Sequence, residues 1–365
     1  MKIKSFQITN LQGRINCNLI FNEDVNIITG ENGSGKTTII KVLWYLISGN
    51  IERIFREVTF ESLKLKTTSY DLSINISESE IKFVWKGKKD SEKGSYNYER
   101  KQKDLESEDF DIDFLNLITC KMSEGSVFFP TFRRIEGGFS LTENPVKGRL
   151  KHGVDTIERG LSELSGKLSV LNNYFIASIS TNDIIDLLRR KHSQSSEEVN
   201  QLHIGMSEYI EKKIQTSQTK PSIVSQESVL NDIKKKVDSI TIQREKLLSP
   251  FTTLALLISE IYKHKGIYLT DKFSVGNTEE AINSAKLSAG EKQLLSFICY
   301  NAFYRSCPFF IDEPELSLHV DWQRNLISIL DSQKANNQLI IATHSPFIYS
   351  KYPDKELLLE QYRGI

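Results

Sequence analysis

The sequence predicts an α/β fold: a parallel or mixed sheet buried on both faces, an antiparallel β-subdomain beside it, and a helical insertion that divides the α/β part in two. Three observations predict it. Gly30-Glu31-Asn32-Gly33-Ser34-Gly35-Lys36-Thr37 fits G-x-x-x-x-G-K-[ST] and follows an apolar run, the strand–loop–helix context of a phosphate-binding loop. Short apolar runs return at Pro308–Asp312 and Gln338–Ala342, as in strands of a sheet covered on both sides. Between these regions, residues 154–265 place apolar residues at helical spacing.

Element by element, residues 1–29 read as three strands: Lys2 to Thr9, Asn16 to Phe21, and Val25 to Ile28. The third runs into the glycine-rich loop, and a helix from Lys36 to about Ser48 follows. From Val58 to Trp85 the alternation VTFESLKLK, YDLSINIS, EIKFVW predicts a meander of half-buried antiparallel strands. Residues 86–113 are charged and poor in aliphatic residues, which predicts a solvated loop. Seven basic residues and two tyrosines (Tyr96, Tyr98) lie there among acidic neighbours. Val127 to Arg134 reads as a buried strand ending at a basic corner. The stretch Gln215 to Gln226, with Pro221, divides the helical insertion into two arms, an antiparallel pair with extra short helices. A helix from Leu287 to Arg305, a strand at Pro308–Asp312, a helix from His319 to Asp331 and a strand at Gln338–Ala342 complete the α/β part.

Lys+Arg and Asp+Glu both number 47, so the formal net charge is zero and no global field draws in nucleic acid. Any DNA contact requires a local patch. No apolar run is long enough for a membrane helix, and the N-terminus lacks the apolar core of a secretory signal. The four cysteines (Cys17, Cys120, Cys299, Cys307) form no C-x-x-C, which predicts reduced structural thiols and a cytoplasmic location.

The motifs converge on nucleotide chemistry. Glycines let successive backbone N–H groups curl around phosphates, a lysine reaches the β/γ-phosphates and a hydroxyl ligates Mg²⁺. Gly30, Asn32, Gly33, Ser34, Gly35, Lys36, Thr37 and Thr38 are the candidate contacts. Asp312-Glu313 closes an apolar strand. Hydrolysis needs one carboxylate for the metal's shell and another to deprotonate the attacking water. Adjacent acids at a strand end divide those tasks, Asp312 for Mg²⁺ and Glu313 as general base. His344, in Ala342-Thr343-His344-Ser345-Pro346, again follows an apolar strand and is placed to sense the γ-phosphate.

GENGSGKT, LSAGEKQ, FFIDEPELSLH and IIATHSP, in that order, resemble the ABC-class ATPase heads of the SMC, RecF and OLD group. The N-terminal run KIKSFQITNLQGRINCNLIFNEDVNIITGENGSGKTT is similar to the same group. The resemblance covers residues 1–150 and 266–365, and implies an ABC-type P-loop ATPase head interrupted by the insertion at 154–265. It implies ATP and Mg²⁺ as cofactors, with Lys36 and Thr37 on phosphates and metal. Ser288 and Gly290 of the LSAGE signature would contact the γ-phosphate of ATP held by a second copy, in a head-to-tail ATP-sandwich homodimer or higher oligomer. Arg14 is a further candidate phosphate contact. His319 falls where transporter-type heads carry an aspartate, and its ELSLH setting resembles OLD-like heads.

The family's Q-loop glutamine should follow the β-meander, yet residues 110–151 contain no Gln, and either Thr131 or Arg133 stands near that place. Lys36 and Ser288 are too far apart for a transporter head and too close for SMC-length coiled coils. No cysteine pair suggests a zinc hook, and no Toprim nuclease or HNH-like run of histidines is expected. The architecture resembles the ATPases of bacterial anti-phage systems (Septu, retron-linked and PARIS types). This implies a regulatory ATPase controlling a separately encoded effector such as a nuclease or toxin, triggered by DNA or a phage-derived molecule, away from membranes. The alternative is a RecF-like DNA-repair clamp that closes on DNA with ATP.

Overall fold

A computed structural model describes residues 1–88, 92–99, 111–131, 134–135, 160–161, 163–179, 181–218, 223–262 and 287–359. Chain contacts divide it into two units, Met1–Ser180 with Ser288–Ile365, and Thr181–Leu287.

The first unit begins with β1 (Ile3–Leu11), β2 (Ile15–Ile20) and β3 (Val25–Gly30), then α1 (Lys36–Ser48) and α2 (Ile51–Glu57). The meander follows as β4 (Ser62–Thr67), β5 (Tyr70–Ile76), β6 (Glu80–Gly87) and β7 (Lys93–Glu99). After α3 (Ile112–Met122) come β8 (Ser126–Phe129), β9 (Arg134–Ile135), β10 (Asn173–Phe175) and β11 (Ser178–Ile179). The second unit supplies α4 (Thr181–Gln218) and α5 (Ile223–Ile261). The chain then re-enters the first unit with α6 (Ala289–Phe303), β12 (Pro308–Asp312), α7 (Val320–Ser332), β13 (Gln338–Ala342), α8 (Pro346–Tyr349) and β14 (Glu356–Leu359).

Two six-stranded sheets organise this unit. One is antiparallel, in the order β2-β1-β4-β5-β6-β7; the other runs β10-β8-β12-β13-β3-β14 with every pair parallel. The continuous apolar strands VNIIT, SVFF, PFFID and QLIIA are buried along almost their whole length, as a sheet covered on both faces requires. α1 packs on β3, β8, β12 and β13. Its Trp44 is fully buried and meets Phe128 and Phe175 at 5.6 and 5.2 Å between ring centroids. Such tilted aromatic pairs stabilise a core beyond the area they bury.

In the second unit α4 and α5 pair as an antiparallel hairpin. Lys213 Nζ donates to Asp232 at 2.6 Å, Lys236 lies over the Tyr209 ring, and His192 meets Phe251 edge-on. The partner numbers fall as the first numbers rise, which fixes the direction. At 1.5 Å per residue the 38 residues of α4 extend roughly 57 Å.

Three expectations need correction. Residues 86–113 are not one loop: β6 runs on to Gly87, and Lys93–Glu99 forms edge strand β7, paired with β6 from Lys86↔Lys93 to Glu80↔Glu99. Tyr98 is buried there and Tyr96 accepts a hydrogen bond from the Asp111 backbone, so both tyrosines serve packing. Residues 89–91 and 100–110 lie outside the described residues. The helical insertion starts later than 154, because Asn173–Phe175 pairs with Ser126–Phe128 in the parallel sheet, and the division falls at Thr181. Within 154–265 the residues 160–161 and 163–168 are helical, and from Thr181 the described part is two long helices, with Pro250 accommodated inside the second. All four cysteines are buried free thiols, and burial pushes Cys17 and Cys307 up to about 12. No described helix is long and apolar enough to cross a membrane.

Candidate nucleotide-binding and hydrolysis site

The register of the parallel sheet assembles the site. β3, β13 and β12 are neighbours, with Ala342 opposite Ile28 and Asp312 opposite Ala342. The three motifs therefore leave the sheet side by side at its carboxyl edge, where open α/β sheets bind ligands.

Leaving β3, Gly30 takes φ +148, and a Cβ there would lie 2.7 Å from the Leu359 carbonyl and 2.8 Å from Ser34 Oγ. Gly35, at φ +91, caps α1, whose first-turn amides then face the loop. Lys36 Nζ donates to the carbonyls of Gly30 (3.0 Å) and Glu31 (3.1 Å), folding its side chain over the loop. Burial holds its ammonium below the usual lysine range, opposed by the carboxylates of Glu313, Asp312 and Glu315.

Asp312 ends β12 fully buried. Thr37 Oγ1 donates to its Oδ1 at 3.2 Å, and Thr131 Oγ1 donates to its Oδ2. Thr131 directly follows β8, the strand next to β12, and Arg133, the other candidate for the Q-loop position, lies outside the described residues. Glu313 adopts a left-handed conformation (φ 46), and its backbone N–H donates to the Ala342 carbonyl. That turn brings its carboxylate to 3.8 Å from His344 Nε2.

An open cleft of about 290 Å³ lies over these groups, lined by Gln12, Arg14, Asn32, Gly33, Gly35, Lys36, Thr37, Thr38, Glu313 and His344. Nine of the residues singled out from sequence thus share one cavity wall. Gly30 and Ser34 shape the loop beneath it, Ser34 being buried, and Asp312 sits below, reached through Thr37. Ser288 and Gly290 are not in this lining. Ser288 is the exposed N-cap of α6 and forms a capping box: its Oγ accepts from Glu291 N at 3.3 Å, and Glu291 Oε2 accepts from Ser288 N at 2.6 Å. The amides of this helix start suit an anion brought from elsewhere.

Sequence reasoning missed Gln12 and Glu315. Gln12 lines the cleft from the same turn as Arg14. Glu315, two residues past the acidic pair, accepts at Oε1 from Thr343 Oγ1 (2.8 Å), His344 N (2.7 Å) and Ser345 N (3.1 Å). The signal available was a third carboxylate so soon after the Asp-Glu pair.

A parallel sheet with a phosphate loop, an acidic pair and a histidine at one carboxyl edge defines a P-loop NTPase head. Residues 1–349 match the model of the AAA ATPase domain family, and the chain belongs to that family. Shorter segments are similar to the DNA replication and repair protein RecF. The RecF of Desulforamulus reducens is 28% identical over 107 residues, 29% of each chain. That of Ruminiclostridium cellulolyticum is 27% identical over 79 residues, 22% of this chain and 21% of RecF. The chain therefore spans under a third of the length of these curated relatives. Among solved structures, the Smc head domain with an extended coiled coil from Pyrococcus furiosus, bound to the C-terminal domain of ScpA, aligns over 96% of this chain and 91% of that one, at 14% identity and TM-score 0.38. The SmcHead bound to the C-winged helix domain of ScpA aligns over the same shares at 11% identity and TM-score 0.39.

Proposed function

We propose that the chain is a regulatory ATPase that binds ATP with Mg²⁺, closes head to tail with a second copy around it, and controls a separately encoded effector. The observation that carries the ATPase part is the shared cleft, in which Lys36, Thr37, Glu313 and His344 face one volume. The donors at its floor, the Thr37 hydroxyl and the Asp312 carboxylate, are hard oxygens in contact with each other, which fits Mg²⁺. An ion held by these two residues would supply positive charge to offset that developing on the phosphates.

The chain's own residues do the rest. Loop amides and the α1 N-terminus cradle the phosphates, with Arg14 and the Lys36 ammonium supplying positive charge. The Glu313 carboxylate takes a proton from the attacking water, and His344, beside it, donates to the γ-phosphate. The open side of the cleft and the exposed cap of α6 together support the sandwich: Ser288 and Gly290 serve a second copy's nucleotide.

Replacing Ser288 with arginine tests this. Ser288→Arg should leave ATP binding to an isolated subunit nearly unchanged and stop turnover. Losing the N-cap costs about 1 kcal/mol, which thermal unfolding measures separately. Equal loss of nucleotide affinity and turnover would count against the shared site.

For the effector, the reading is a nuclease or toxin partner in anti-phage defence, contacted through the α4–α5 hairpin. It is supported by the two long helices of the second unit and by the finding that, among the described residues, no group of three or more His, Cys, Asp and Glu is gathered to hold a metal ion of a nuclease. The similarity to RecF favours a second reading, an ATP-dependent DNA clamp. One experiment separates them. Co-expressed with the product of the neighbouring reading frame, the chain should form a stable complex and, alone, should not cut nucleic acid. A steeply salt-dependent, ATP-dependent affinity for DNA in the single chain would favour the clamp.

A further inference from the structure

The turn after the acidic pair links two sites that act on different nucleotides in the proposed dimer. On one side is the signature helix α6. Gly290 packs so closely on this turn that a Cβ would lie 2.2 Å from the Ser317 carbonyl, and buried Gln293 donates from Nε2 to the Pro314 carbonyl at 3.0 Å. On the other side is the loop bearing His344, held by the three hydrogen bonds to Glu315 Oε1. Gln323, on α7, ties the turn to that loop: its Nε2 donates to the Leu318 carbonyl at 2.7 Å, and its Oε1 accepts from Ser345 Oγ at 2.6 Å.

We propose that Glu315 is a positioning residue of the hydrolytic site: its carboxylate holds the loop that carries His344, and its turn ties that loop to the signature helix. A single carboxylate oxygen accepting a hydroxyl and two successive amides fixes the backbone on both sides of His344. Charge-assisted hydrogen bonds of this kind are roughly twice as strong as neutral ones. Gly290 and Gln293 leave the turn no slack against α6, so displacement of the signature carries Glu315, and with it His344. That last step rests on the shared-site reading: engagement of one subunit's signature by the partner's ATP would set that subunit's own histidine.

The experiment compares wild type, Glu315→Ala and Glu315→Gln for kcat, KM, nucleotide affinity and ATP-dependent dimer formation. Glu315→Ala should lose about ten- to a hundredfold in kcat, the effect of a charged hydrogen-bond acceptor. KM, affinity and dimer formation should stay near wild type. Glu315→Gln, which keeps an accepting oxygen, should recover most of the rate. A folded Glu315→Ala with wild-type kcat would overturn the proposal, and so would a parallel loss of affinity and kcat, which would indicate general damage. Should Glu315→Ala fail to fold, the nearly isosteric Thr343→Val decides. It removes one donor to Glu315 and should cut kcat by about three- to tenfold; an unchanged kcat would overturn the proposal. Failure of the wild-type chain to dimerise with ATP would remove the link to a partner's signature, while the Glu315→Ala rate would still report on the loop.

Discussion

Lys36→Ala is expected to abolish ATP turnover and to weaken nucleotide binding. In the structure the Lys36 ammonium donates to the Gly30 and Glu31 carbonyls, which keeps it over the loop proposed to hold the β/γ-phosphates. A methyl group leaves their charge without its nearest fixed cation and also releases the loop's own tie. Removing one such electrostatic contact typically lowers kcat by about 10²- to 10³-fold. Phosphate release and equilibrium binding of a fluorescent ATP analogue measure the two effects. Wild-type turnover in this variant would remove the basis for placing the chemistry at this cleft.

Glu313→Gln should separate binding from hydrolysis. The amide keeps the size and an oxygen facing His344, but it cannot take a proton from water. Loss of a general base lowers kcat by about 10²- to 10⁴-fold. Nucleotide affinity should remain, because Lys36, Thr37 and the loop amides are untouched. A burst-free, nearly inactive enzyme that still binds ATP is the expected behaviour. If turnover persists, another group is the base.

Much of this site was legible in the sequence because each motif ends an apolar strand. A buried strand has one direction and one carboxyl edge, so three such strands in one parallel sheet bring their following residues together whatever lies between them. The contact between Thr131 and Asp312, which are 181 residues apart, was not legible. It depends on β8 lying next to β12, and strand order is a property of the sheet, not of either segment. Glu315 escaped for a similar reason: its partners, Thr343 to Ser345, belong to the neighbouring strand's loop. β7 was missed because an edge strand exposes most of its polar side chains, so KGSYNYE looks like a charged loop. β10 is three residues long, too short for periodicity to show, and this moved the expected start of the helical insertion from Thr181 back to 154. The α4–α5 hairpin was legible as helix from spacing alone, since amphipathic period survives without any motif.

The central claim, that two copies share ATP between the cleft of one and the signature of the other, is tested most directly by sedimentation velocity of Glu313→Gln. In this variant ATP binds and is not consumed, so a closed assembly should persist. With Mg²⁺ and ATP the sedimenting mass should rise from the 41.8 kDa chain to about twice that value, and adding Ser288→Arg to the same chain should abolish the rise. The same mass with and without ATP, in a variant that demonstrably binds the nucleotide, would contradict the account.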